Sequence, residues 1–325
     1  MDWKRNRALE LARAVAREFA KDDCASMAAA LAYYAVFSMP GLLVIVVWVA
    51  GMAFDPQQVR DRIGGEIREV VGSDGGEQVE TMLEHAERPE RSTPMAVIGI
   101  AALLFGATGV LAQLQTSLNR AWRVKPDPHS GGLKQFVLKR ILSLAMVLVI
   151  GFLLLAALVV TAAVSAVSQR VLPGSWSAPL LLVANFAVDL VVVTLLFAAM
   201  YKVLPDAQIA WRDVWVGAGV TAVLFVAGKF ALGFYLGRSN VGSAYGAAGS
   251  LALILVWVYY SGLIVLLGAE FTQVWARRYG TEIQPAAGAV RVVEKTFAIR
   301  NGRPVYEDDD DPRANHEYEQ AASAP

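Results

Sequence analysis

The chain has 325 residues, 56% of them hydrophobic, with 29 basic residues against 29 acidic ones and one cysteine. Soluble domains run at about 45–50% apolar. The excess here falls in blocks of about 20 residues or more that are almost free of charge, which excludes an ordinary soluble domain and reads as bilayer-spanning helices. A lone Cys24 excludes an intrachain disulfide and a cysteine-based metal cluster, and His85, His129 and His316 fall in separate loops or tails without ligand spacing. No metal site and no cofactor is expected.

Residues 1–24 read as a cytoplasmic amphipathic helix. Leu9, Val15 and Phe19 can share one face, Arg13 and Arg17 lie opposite, and six basic residues favour a position on the inner membrane surface. Charge throughout this segment fits no cleavable signal. The first span is expected at 25–53. Pro40 in its middle removes a backbone donor and crowds the preceding turn, so a kink is expected there, with Ser38 or a neighbouring helix to satisfy the freed carbonyl. Tyr33 and Tyr34 precede that kink.

Residues 54–94 carry ten acids and five bases. Helical spacing on both sides of the Gly72–Gly76 break makes this a small helical extramembrane cap between the first two spans. The second span, 95–116, carries Gly99, Gly106 and Gly109 on a small-residue face that lets helix backbones approach. Further spans follow at 141–167, 179–201, 212–236 and 246–274. Gly249 lies among the small residues that open the last of them. Residues 279–325 read as a cytoplasmic, polar and disordered tail with an acidic run at Glu307–Asp311.

The expected fold is therefore an all-α polytopic membrane protein with six transmembrane helices. Basic residues set its orientation. The side holding the N-terminus collects 21 of them and the other side seven, which predicts cytoplasmic N- and C-termini. Expected partners are the lipid bilayer, with anionic lipids at the basic cytoplasmic segments; a homo-oligomer is left open, and no nucleic acid is expected.

Four patches give the chain a family likeness: AAALAYYAVFSMP (Ala28 to Pro40), NRAWRV (Asn119 to Val124), LPDAQIAWRDVWVGA (Leu204 to Ala218) and YGAAGSLALILVWVYYSGLIVLLGAE (Tyr245 to Glu270). In combination the chain resembles the YihY/virulence factor BrkB family of bacterial inner-membrane proteins, once labelled ribonuclease BN. The resemblance implies six spans with cytoplasmic termini, an association with envelope integrity and resistance traits, and a transport role. It carries over no catalytic residue.

Ionisable groups inside a bilayer are costly and mark candidate sites. Asp189 falls near the middle of the fourth span, with Asn185 one turn earlier. Lys229 falls in the outer half of the fifth. At ~1.5 Å per residue their depths differ by about 5 Å, so an Asp189–Lys229 contact is compatible with the spans. The other reading is a structural pair, or Lys229 reaching the outer headgroups. Glu270, near the inner end of the sixth span, reads as an interfacial anchor or as a partner of tyrosines and inner-loop arginines. The candidate polar core is thus Asp189, Lys229, Asn185, Ser38, Tyr33, Tyr34 and Glu270, with no catalytic residue among them.

Two functions remain. One is a transporter, permease or lipid-handling protein of the cell envelope, not an enzyme; with no GxxxxGK[ST] loop, it has no ATPase of its own. The other is a scaffold for envelope machinery. The old nuclease label needs metal-holding carboxylates or a histidine acid–base pair, and three scattered histidines supply neither.

Overall fold

A computed structural model describes residues 2–50, 55, 57–58, 61, 64–65, 109–127, 177–238, 249–293, 297–300 and 303–306. The extramembrane cap, the third span at 141–167, and Gly99 and Gly106 of the second lie outside the described residues or almost wholly so. The chain divides into two compact units, Met1–Val290 and Arg291–Pro325.

The first unit is mostly helical. Its described helices are α1 (Asp2–Lys21), α2 (Cys24–Ala50), α3 (109–121), α4 (Ser177–Val203), α5 (Trp211–Arg238) and α6 (Gly249–Tyr279). Local chemistry sets their ends. Between α1 and α2 the chain turns at Asp22–Asp23. Asp23 adopts φ 54°, a left-handed conformation that Asp tolerates better than most residues, and its carbonyl accepts the Met27 amide to start α2. Pro205 lies two residues beyond α4, where the helix cannot continue. Arg277 and Arg278 occupy the last turn of α6, the favourable end for cations. Gly280 follows, and a Cβ there would collide with the Asp213 carboxylate, so the close approach of α5 to the end of α6 requires glycine.

α6 is the central element: it packs against α1, α2 and α5, while α4 packs on α5. Three windows, Phe186–Val203, Trp211–Leu232 and Leu251–Tyr279, are long and apolar enough to cross a membrane, and Cys24–Met39 is a shorter apolar stretch. Large apolar side chains stay exposed along these helices, among them Phe37, Phe186, Val191, Val223 and Phe230. Such a surface is costly in water and suited to lipid. The core gathers instead where helix ends meet, around Leu118, Trp122, Tyr201, Leu204, Ile209, Val214 and Leu266.

α1 does not stand apart from this body. Its Val15 is buried and Phe19 packs on the core, whereas Leu9 is exposed. Of the three apolar residues expected to share a face, two are therefore covered by protein. Pro40 lies mid-way along α2, which runs from Cys24 to Ala50 as one helix.

Short strands add to the helices, which a purely helical expectation does not contain. Ala207 pairs with Pro285 and Gln208 with Gln284 in antiparallel register, and Val124–Pro126 pairs with the strand beginning at Ala289. The Ala286 amide donates to the Asp206 carbonyl and the Asp127 amide to the Gly288 carbonyl. With Ile283 buried, the chain beyond α6 is thus laced back onto two interhelical links, and the first unit extends to Val290. Inside the stretch expected to be a disordered tail, Phe297–Arg300 and Arg303–Tyr306 form an antiparallel hairpin within the second unit.

Candidate functional site

The second half of α6 carries three buried polar residues, Glu270, Thr272 and Gln273. Its contact with α5 is built from a motif used twice. Gly217 and Thr221 on α5 face Gly268 and Thr272 on α6, each pair four residues apart. A Cβ on Gly217 would collide with Thr272, and one on Gly268 with Thr221 and the Tyr201 hydroxyl. Each threonine hydroxyl donates back to the carbonyl of its own helix's glycine, at 2.7 Å in both cases. The hydroxyls are thereby satisfied, and the two backbones come close without leaving a buried donor unpaired.

Tyr201 of α4 extends this contact. Its hydroxyl donates to the Val265 carbonyl at 2.7 Å and lies 3.0 Å from the Thr221 hydroxyl. The ring meets Trp122 edge-on at 5.7 Å, and the Trp122 indole donates to the Ala269 carbonyl at 3.1 Å. A tyrosine from α4 and a tryptophan from the end of α3 thus anchor to carbonyls four residues apart on α6.

Asn119 and Asp206 tie α3 to the α4–α5 link. The Asn119 amide nitrogen donates to Asp206 Oδ2, and the Asp206 backbone amide donates to Asn119 Oδ1, both at 2.8 Å. Gln115 adds a longer bond to Asp206 Oδ2 at 3.4 Å. Glu18 of α1 receives Arg123 at 2.6 Å and Arg277 at 3.2 Å, joining three chain segments at a partly exposed position.

Against this well-satisfied frame, Glu270 is different. It is completely buried, its Oε1 accepts from the Cys24 thiol at 3.6 Å, and its Oε2 has no hydrogen-bond partner among the described residues. A thiol is a weak donor. Three residues on, the Oε1 of buried Gln273 also lacks a partner, as does Asp213 Oδ1, although Asp213 Oδ2 accepts the Thr281 amide at 3.1 Å. Asp22, in the α1–α2 turn, is buried and interacts electrostatically with Glu270. The Glu270 environment is therefore rich in acceptor oxygens and poor in donors. Among the described residues, no group of three or more His, Cys, Asp or Glu side chains is arranged to hold a metal ion.

The expected polar-core residues divide sharply. Glu270 is in the centre of the packed region. Ser38 is buried and its Oγ accepts the Val110 amide at 3.2 Å, so its described bond reaches the next helix. Gly109 allows that contact, since a Cβ there would lie 3.1 Å from Ser38 Oγ. Tyr33 and Tyr34 are exposed and meet edge-on at 5.7 Å. Asp189 is exposed and Lys229 half-buried, and no ion pair joins them among the described residues. The side chain of Asn185 and that of Gly249's neighbourhood up to residue 250 lie outside the described residues.

Sequence reasoning did not single out Asn119, Asp206, Trp122, Tyr201 or the glycines 217, 228, 262 and 268. Gly228 lies under Tyr260, and a Cβ on Gly262 would press on Ala28 of α2. A usable signal was present in the repeated Gly-x-x-x-Thr spacing of α5 and α6. The Asn119–Asp206 bond had none, because its partners are 87 positions apart.

The four patches that carried the likeness, far apart in sequence, meet in this region: Asn119 binds Asp206, Trp122 binds Ala269, and Gly262 lies against Ala28. Comparison with known proteins agrees. The chain is similar to a UPF0761 membrane protein of Pseudomonas aeruginosa (strain LESB58), 27% identical over 298 residues that span 88% of this chain and 69% of the relative. A UPF0761 membrane protein of Alkalilimnicola ehrlichii is 28% identical over 319 residues, covering 93% of this chain and 68% of that one. One from Legionella pneumophila (strain Corby) is 28% identical over 264 residues, 80% of this chain and 60% of the relative. No solved structure matches. The family model described as Virulence factor BrkB matches residues 15–292, so this integral membrane protein belongs to the Virulence factor BrkB family.

Proposed function

We propose that the chain is a permease of the bacterial inner membrane that moves a solute or lipid of the cell envelope without an ATPase or an enzymatic step. The observation that carries this reading is Glu270: a carboxylate with no exposure and an unpartnered oxygen, on the central helix of a membrane protein. A purely structural role is better served by an apolar or fully bonded side chain, since burying an uncompensated acid is expensive. Functional sites are where such costs are kept.

The proposed topology has six spans with both termini in the cytoplasm. The basic-residue asymmetry supports it. So does the meeting of the α1–α2 turn, the end of α3, the α4–α5 link and the end of α6, since an even-span, N-in arrangement brings all four to the inner side.

The test is flux in liposomes holding the purified full-length protein. Two readouts are run side by side: efflux of a trapped anion and bleaching of a fluorescent phospholipid in the inner leaflet. Either rate rising several-fold above protein-free vesicles, and falling in Glu270→Gln, is the expected result. Neither rising overturns the permease reading and leaves the scaffold. Reporter fusions at each terminus and between α5 and α6, within residues 239–248, test the topology.

A further inference from the structure

We propose that Glu270, Gln273 and Asp22 form a binding site for a monovalent cation, either a proton or an alkali ion, exchanged with the aqueous phase. The argument starts from the balance of donors and acceptors. Glu270 Oε2 and Gln273 Oε1 are buried oxygens without hydrogen-bond partners among the described residues. They belong to side chains that are fully and nine-tenths buried, spaced i and i+3 on the same face of α6. Arg123 and Arg277 are both bound to Glu18.

The titratable groups acting on Glu270 come from three directions: Asp22 from the α1–α2 turn, Cys24 from α2 and Glu18 from α1. Among the described residues that act on it none is a cation, and none belongs to α5, which also packs on α6. Arg120 acts on Cys24. Among the described residues, the open Glu270 Oε2 and Gln273 Oε1 are acceptors without a donor, and a small positive charge would satisfy both.

Chemistry narrows the ligand. All the available donors beside the thiol are oxygens, which suit a proton shared between carboxyls or a hard ion. Among the described residues no group of three or more His, Cys, Asp or Glu side chains could hold a metal ion, which disfavours a multivalent metal, since that needs more charge around it. A single positive charge matches what the site offers. A coupling role for this cation rests on the permease reading above; its binding does not.

The experiment measures the thermal unfolding midpoint of the full-length protein in nanodiscs of neutral lipid. Sodium is varied against choline at constant ionic strength, and acidity is then varied at fixed salt. A ligand that binds only the folded state raises the midpoint as its concentration rises. The expected result is a rise with sodium, assigning an alkali ion, or with acidity, assigning a proton, that is at least halved in Glu270→Gln. Asp22→Asn is measured beside it and shows the same loss, which covers the case that Glu270→Gln does not fold. Equal slopes in wild type and both variants, or a flat wild-type midpoint against both cations, overturns the site. Flux without cation-dependent stability removes the site and keeps the permease; cation-dependent stability without flux does the reverse.

Discussion

Asp189 and Lys229 lie within the apolar helices α4 and α5, and Glu270 lies within α6, yet the fold treats them in opposite ways. Asp189 is exposed, Lys229 is half-buried and no ion pair joins them among the described residues, whereas Glu270 is fully buried and bonded to the Cys24 thiol. All three are ionisable residues in sequences apolar enough to enter a bilayer. What separates them is the company of other chain segments. The mid-helix surfaces of α4 and α5 present large apolar groups outward, while the second half of α6 is bonded to side chains of α1, α2, α4 and Trp122 and packs closely on α5. A polar residue in a span becomes a site when neighbouring helices exclude solvent from it, and that is a property of packing.

The largest expected effect comes from breaking the α5–α6 contact that creates this seclusion. Gly268→Val places atoms where Thr221 and Tyr201 already lie. Overpacking costs about 1–3 kcal/mol in a core that can adjust, and more where backbone is the obstacle. The variant should lose its monodisperse peak in size-exclusion chromatography of detergent-solubilised protein. A wild-type profile would mean the helices are further apart than described.

Asn119→Ala should come next. It removes two 2.8 Å bonds to Asp206, one of them to a partly buried carboxylate oxygen that also takes the longer Gln115 contact. The cost is about 1–3 kcal/mol, read as a lowered thermal midpoint, and Asn119→Asp should not rescue it because it sets two acids together. Tyr201→Phe is expected to cost less, about 0.5–1.5 kcal/mol, since Thr221 keeps its own bond to the Gly217 carbonyl.

Glu18→Gln should be smaller again. Its bridges to Arg123 and Arg277 are partly exposed, so the loss is about 0.2–1 kcal/mol and shrinks as salt is added. An effect that does not respond to salt would place the ion pairs deeper than their exposure indicates. Asp189→Asn, at the far end of the comparison, should change the midpoint by less than about 0.5 kcal/mol and leave flux near wild type. A large loss of flux in Asp189→Asn, with folding intact, would collapse the distinction between the two regions.

The membrane character of the chain was legible from its residues because hydrophobic length is a local, additive property. Three of the expected spans stand as helices of that kind in the described residues. Family membership was legible because it resides in contiguous strings such as NRAWRV and the Tyr245–Glu270 stretch. The site was legible only in part. Glu270 and Ser38 could be singled out because polar groups are conspicuous in apolar runs, but the same rule singled out Asp189 and Lys229, and it passed over Trp122 and Tyr201, whose polar tips look ordinary near helix ends.

The division has a plain physical cause. Composition, charge asymmetry and run length specify which segments prefer lipid and on which side their flanks should lie, and those preferences are summed residue by residue along the chain. Whether a given acid is solvated, paired or sealed depends on atoms brought together from positions far apart: Cys24 with Glu270, Asn119 with Asp206, Gly217 with Thr272. Only the tertiary structure brings those atoms within bonding distance, and so only it decides that Glu270, rather than Asp189, is the sealed acid.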